Sequence, residues 1–100
     1  MSGWIGVDFD GTLAKGLGGE PVEAMMNRVR NWLEQGIEVR IVTARGSTQK
    51  DRAYVEEWLQ RHGLPALVVT DKKDYQMLQL WDDRAVGVIP DTGIPRCGPM

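Results

Sequence analysis

A chain of 100 residues has room for one domain with a modest core and none for a separate substrate domain. Its 42% apolar and 26% charged residues are those of an ordinary folded protein, and twelve basic against fourteen acidic residues leave a net charge of −2, which excludes tight non-specific binding to a polyanion. The lone Cys97 excludes an internal disulfide, no export signal follows Met1, and no apolar run approaches the roughly 20 residues of a membrane span, so a cytoplasmic protein without membrane attachment is expected.

Trp4 to Phe9 form a nearly continuous apolar run with β-branched members, which predicts a first strand covered on both faces. Gly11 to Glu20, with four glycines, predict a mobile loop, and Pro21 suits the first position of a helix. Val22, Met25, Met26, Val29, Trp32 and Leu33 then recur at helical spacing until Gly36. Ile37 to Val42 predict a second strand, and Thr48 with Asp51 form a capping pair for a second helix that turns Val55, Trp58, Leu59 and His62 inward. Gly63 and Pro65 close that helix, and Ala66 to Thr70 predict a third strand. Met77 to Trp81 and Ala85 to Ile89 predict two more, followed by an irregular tail from Pro90. Strands alternating with helices indicate an α/β fold with a mostly parallel sheet.

Candidate chemistry gathers at strand ends, where open α/β sheets bind their ligands. Asp8 and Asp10 flank Phe9, and alternation along an extended chain points both carboxylates to one side. Two like charges so placed suit a hard cation such as Mg²⁺, although Asp-Gly is also a common turn dipeptide. Thr43 and Arg45 follow the second strand, and Asp82 and Asp83 follow the fourth, which makes a solvated turn a weaker account of all three. His62 beside Gly63 reads as a helix-end residue, the four tryptophans as packing, and the Gly16 to Gly19 stretch as a flap without a phosphate-loop pattern.

In this order the residues resemble the haloacid dehalogenase-like hydrolase superfamily. Asp8-Phe9-Asp10-Gly11-Thr12-Leu13 is similar to its first motif, Val42-Thr43-Ala44-Arg45 to its second, Lys72 or Lys73 to its third, and Trp81-Asp82-Asp83 to its fourth. The resemblance implies a three-layer Rossmann-like fold with five strands in the order 5-4-1-2-3. It implies a phosphatase in which Asp8 is the nucleophile, Asp10 the general acid and base, Thr43 a phosphoryl-oxygen donor and a lysine the charge-balancing group. Lys73 is favoured for its place before the Asp74 turn, and Lys72 stays open. Gly11, Thr12, Ala44 and Arg45 are the expected substrate contacts, with a surface salt bridge as the alternative for Arg45. Mg²⁺ would be held by an Asp8 oxygen, the Asp10 carbonyl and Asp82 or Asp83, with Asp83 favoured.

Only ten residues, Gly11 to Glu20, separate the first motif from the first helix, too few for a cap domain. An uncapped site needs a covering partner, so the expectation is a homo-oligomer or a large phosphorylated substrate such as a nucleotide, a nucleic-acid end or a protein. Two other classes are carried forward: a receiver-like phosphoacceptor, which the arrangement around Thr70 and Asp71 disfavours, and a regulatory module that binds metal or phosphate without turnover.

Overall fold

The computed structural model describes residues 3–96. Four parallel strands, β1 (Trp4–Val7), β2 (Glu38–Val42), β3 (Val68–Thr70) and β4 (Met77–Trp81), lie side by side in the order β3-β2-β1-β4. Helix α1 (Glu23–Glu34) joins β1 to β2, and α2 (Gln49–Arg61) joins β2 to β3 after a short 3-10 turn, Ala44–Ser47. The first strand lies between β2 and β4, the neighbours that the resemblance implied for it.

Alternation along the strands decides where the core lies. Ile5, Val7, Val39, Ile41 and Val69 form one cluster with Met25, Met26 and Val29 of α1 and Val55, Trp58 and Leu59 of α2. Both helices therefore cover the same face of the sheet, so the expected three layers are two in the described residues. The connection from β3 to β4 crosses the opposite face. Asp74 of that connection accepts from Trp4 Nε1 at 2.9 Å and faces Arg40, whose guanidinium lies 4.5 Å over the Trp4 ring. Six residues, 71–76, are too few for a helix that could cover this face and still carry the chain between opposite edges of the sheet.

Several element ends differ from their sequence expectation. The first strand stops at Val7 because the amides of Thr12, Leu13 and Ala14 all converge on the Phe9 carbonyl and turn the chain. Pro21 lies outside α1 and pairs with Ala14 in an isolated antiparallel bridge; Val22 takes the cap position without a side-chain bond. Residues 11–20, expected as a mobile loop, are a hairpin in which Lys15 N donates to Glu20 O at 2.8 Å and Leu13 and Ala14 are fully buried. The Thr48 cap forms as expected, its hydroxyl accepting from Asp51 N at 3.2 Å.

The expected fifth strand is absent from the sheet. Asp82 Oδ1 accepts from the amides of Arg84 and Ala85 at 2.7 and 3.0 Å, a turn that leads the chain away from β4. Residues 85–96 instead fold back on themselves, with Val88 bridging Pro95 and Arg96 N donating to Gly87 O. The described part of the tail, residues 90–96, is irregular apart from this one bridge, and β4 is an edge of the sheet. The lone Cys97 lies outside the described residues. Among those described, no helix is long and apolar enough to cross a membrane.

Candidate active site

Backbone pairing that continues past the strand ends assembles the rim. Asp8 N donates to Trp81 O at 2.8 Å, which zips β1 to β4 one residue beyond Val7 and brings Asp8 beside the Asp82-Asp83 turn. Thr43 N donates to Thr70 O at 2.8 Å, doing the same for β2 and β3. Gly46 lies against the Thr70-Asp71 backbone so closely that a Cβ there would overlap it. On the other side, the Trp81 ring packs tilted against Trp32 of α1, centroids 5.3 Å apart, with the Arg28 guanidinium over Trp81, which anchors β4 just before its aspartates.

Asp8, Asp82 and Asp83 can each offer a carboxylate oxygen, and these oxygens all lie within 4.8 Å of one another. The hydroxyl of Thr12, itself nearly buried, is 3.2 Å from Asp8 Oδ2 and 3.4 Å from Asp83 Oδ1 and can donate to one of them at a time. Gly11 makes room for this cluster. Its φ is +84°, and a Cβ at that position would stand 2.5 Å from Asp83 Oδ2.

Burial pushes the Asp8 carboxyl up to about 6, helped by its contact with Asp83 and the charge of Asp82, while the Phe9 amide and the Thr12 hydroxyl oppose the rise. Asp8 is therefore largely ionised at neutral pH yet crowded by two further carboxylates. An all-oxygen, all-carboxylate donor set of this kind fits a hard divalent cation.

The raised value has a measurable consequence for the metal-free chain. Between about pH 4 and pH 6 the folded chain keeps a proton on Asp8 that the unfolded chain, with a carboxyl near 3.8, has released. Stability must then fall as pH rises through that window and stay lower above it. In EDTA, the melting temperature is expected to drop from pH 4.5 to pH 7, and the gain on adding Mg²⁺ is expected to grow over the same interval. A thermal scan series at constant ionic strength checks this, and a melting temperature that rises steadily to pH 7 in EDTA would contradict it.

A hollow of about 530 Å³, open to solvent, lies beside the cluster and is lined by Asp8, Thr43, Ala44, Ser47, Asp71 and Asp82. Thr43 caps the 3-10 turn, its Oγ1 accepting from Arg45 N at 3.2 Å, which leaves the hydroxyl hydrogen free to donate into the hollow. A larger hollow of about 690 Å³, beside Glu56, Gln60, Leu64 and Leu67, contains no comparable gathering of groups.

No family model, curated protein or solved structure matches this chain.

The expected site residues divide into those brought together and those kept apart. Asp8, Thr12, Thr43, Ala44, Asp82 and Asp83 share one rim, with Gly11 packed beneath Asp83. Asp10 stands outside the carboxylate group of Asp8, Asp82 and Asp83, and its Oδ2 accepts from Arg45 Nε at 2.7 Å. Arg45 accordingly has a partner inside the chain. Lys73, the favoured lysine, lines a separate hollow with Asp74 and Tyr75, because the connection must leave the rim to cross the open face. Lys72 stays nearer, with Nζ 3.5 Å from Asp71, a residue of the Asp8 hollow.

Asp71 was not singled out from the sequence as a rim residue, although its place directly after β3 obeys the same strand-end rule as Thr43 and Asp82. Ser47 and Tyr54 carried no such signal. His62 serves packing, its ring 4.5 Å from that of Trp58.

Proposed function

We propose that this chain is a magnesium-dependent phosphomonoesterase of the haloacid dehalogenase type, with Asp8 as nucleophile. The observation that supports it best is the carboxylate cluster of Asp8, Asp82 and Asp83 beside a hollow into which the Thr43 hydroxyl can donate. In this reading an Asp8 oxygen attacks phosphorus, the bond to the ester oxygen breaks, and Asp10 gives that oxygen a proton. Water then attacks the aspartyl-phosphate, Asp10 takes its proton, and inorganic phosphate leaves with Asp8 regenerated. Thr43 donates to a phosphoryl oxygen, and Lys72, swinging from Asp71, is the better placed of the two lysines to balance charge.

Asp8 and Asp83 are the side chains proposed to hold Mg²⁺, since Asp82 already spends one oxygen on its turn. When bound, the ion supplies the positive charge that lets an anionic substrate approach a rim of aspartates. The substrate is a phosphate monoester that an uncapped rim can admit, including a nucleotide, a nucleic-acid end or a phosphoprotein.

A second reading, a metal- or phosphate-binding module without turnover, draws on one observation: neither lysine amine contacts Asp8. Hydrolysis of an aryl phosphate with Mg²⁺ and with EDTA separates the two. The expected result is turnover that disappears in EDTA and returns with Mg²⁺. No release of phosphate from the aryl ester or from a panel of phosphorylated metabolites, nucleotides and oligonucleotides would leave the binding module.

A further inference from the structure

Arg45 is joined to more than Asp10. Its backbone is fixed by the Thr43 cap, and its guanidinium lies 5.1 Å from the Tyr54 ring centroid and 5.9 Å from that of Phe9. Tyr54 in turn donates its hydroxyl to Gly18 O at 2.7 Å. Gly18 lies close against that side chain: a Cβ there would stand 2.9 Å from it. Trp58 Nε1 donates to the neighbouring Gly19 O at 2.8 Å, so the tip of the 11–20 hairpin is docked on α2. An unbroken series of contacts therefore runs from the hairpin tip through Tyr54 and Arg45 to Asp10.

The far end of this series is incompletely satisfied. Asp10 Oδ1 is buried and has no hydrogen-bond partner, so the ion pair with Arg45 is the side chain's one strong tie. A buried carboxylate oxygen without a donor is costly, so a donor that reaches Oδ1 gains by drawing this side chain toward it.

We propose that Arg45 is a positioning residue that sets the aim of Asp10, and that Tyr54 makes this aim depend on whether the hairpin is docked. Its catalytic consequence rests on the phosphatase reading; the coupling between hairpin and Asp10 does not. Coupling is reciprocal, so disturbing Arg45 must loosen the hairpin just as undocking the hairpin must loosen Asp10.

Two measurements on the full chain, with Arg45→Ala, Arg45→Lys and Tyr54→Phe, test this. The first is hydrogen exchange at the Lys15 and Gly19 amides, which close the hairpin on Glu20 O and Lys15 O. Tyr54→Phe removes the tie directly and should speed exchange. Arg45→Ala should speed it by about 5-fold or more although the Arg45 hydrogen bonds go to Thr43 and Asp10, and Arg45→Lys should recover part of the difference. The second is aryl phosphate hydrolysis in Mg²⁺. Arg45→Ala should lower kcat by about 10- to 100-fold with KM within about 3-fold, and its effect should combine with that of Tyr54→Phe less than additively.

Unchanged hairpin exchange in Arg45→Ala and Arg45→Lys would overturn the coupling. A raised KM at unchanged kcat would overturn the positioning role and make Arg45 a substrate contact. If the parent chain hydrolyses nothing, the phosphatase reading fails while the exchange rates still decide the coupling.

Discussion

Asp8→Asn should abolish turnover, by about 10⁴-fold or more, while leaving the metal-free chain at least as stable as the parent at pH 8. The activity falls because an amide oxygen cannot form the aspartyl-phosphate. Stability behaves otherwise because Asp8 is ionised at that pH among Asp82 and Asp83, and burial alone already disfavours its charge. A neutral isostere removes that repulsion and can still accept from the Thr12 hydroxyl, which is 3.2 Å away. The stabilisation conferred by Mg²⁺ should shrink at the same time, since the cluster loses one of its three carboxylates. Steady-state hydrolysis and thermal scans with Mg²⁺ and with EDTA check all three points. Activity within tenfold of the parent would remove Asp8 as the nucleophile, and a large loss of stability in EDTA would refute the account of its environment.

The second large effect is expected at a residue with no functional group. Gly11→Ala should reduce activity by about 100-fold and weaken the Mg²⁺-induced rise in melting temperature, at a stability cost of about 1 kcal/mol or somewhat more. The cost to stability comes from the φ of +84°, a region that Ala adopts with strain. The cost to function comes from the methyl group, which would meet Asp83 Oδ2 at 2.5 Å. Asp83 is the end of a side chain and can swing aside, so the fold survives, but its carboxylate then leaves Asp8. Gly16→Ala is the control: that glycine also has positive φ, at +57°, but a Cβ there meets nothing within 4 Å. It should show a comparable stability cost with activity near that of the parent. Equal loss of activity in both variants would mean that backbone strain, and not displacement of Asp83, is responsible.

The local character of the chain could be read from its residues. Apolar runs with β-branched members mark β1 and β2, and the spacing of Met25, Met26 and Val29 marks the buried stripe of α1. The Thr48 cap and Gly63 bound α2 within a residue or two of its observed ends. The strand-end rule puts Asp8, Thr43, Asp82 and Asp83 on one rim, because parallel strands all end on the same side.

Long-range competition decided the rest. Ala85 to Ile89 has strand-like composition, yet whether it joins β4 depends on where the Asp82 turn sends the chain, and it pairs with residues 94–96 instead. Lys73 and Lys72 are neighbours in sequence with equal chemistry. They part because the connection must cross the open face, where Trp4 and Arg40 capture Asp74. Strict alternation cannot aim Asp10, because three amides bonding to one carbonyl at Phe9 turn the chain there, and its Oδ2 is taken by Arg45, thirty-five residues away. The sequence by itself determined the first four strands, both helices and which strand ends carry acid groups, because period and turn chemistry are local. Only the tertiary structure decided which carboxylates share a site and which cation faces each, because those partners are brought within reach by pairing across the sheet and by turns whose direction no local pattern encodes.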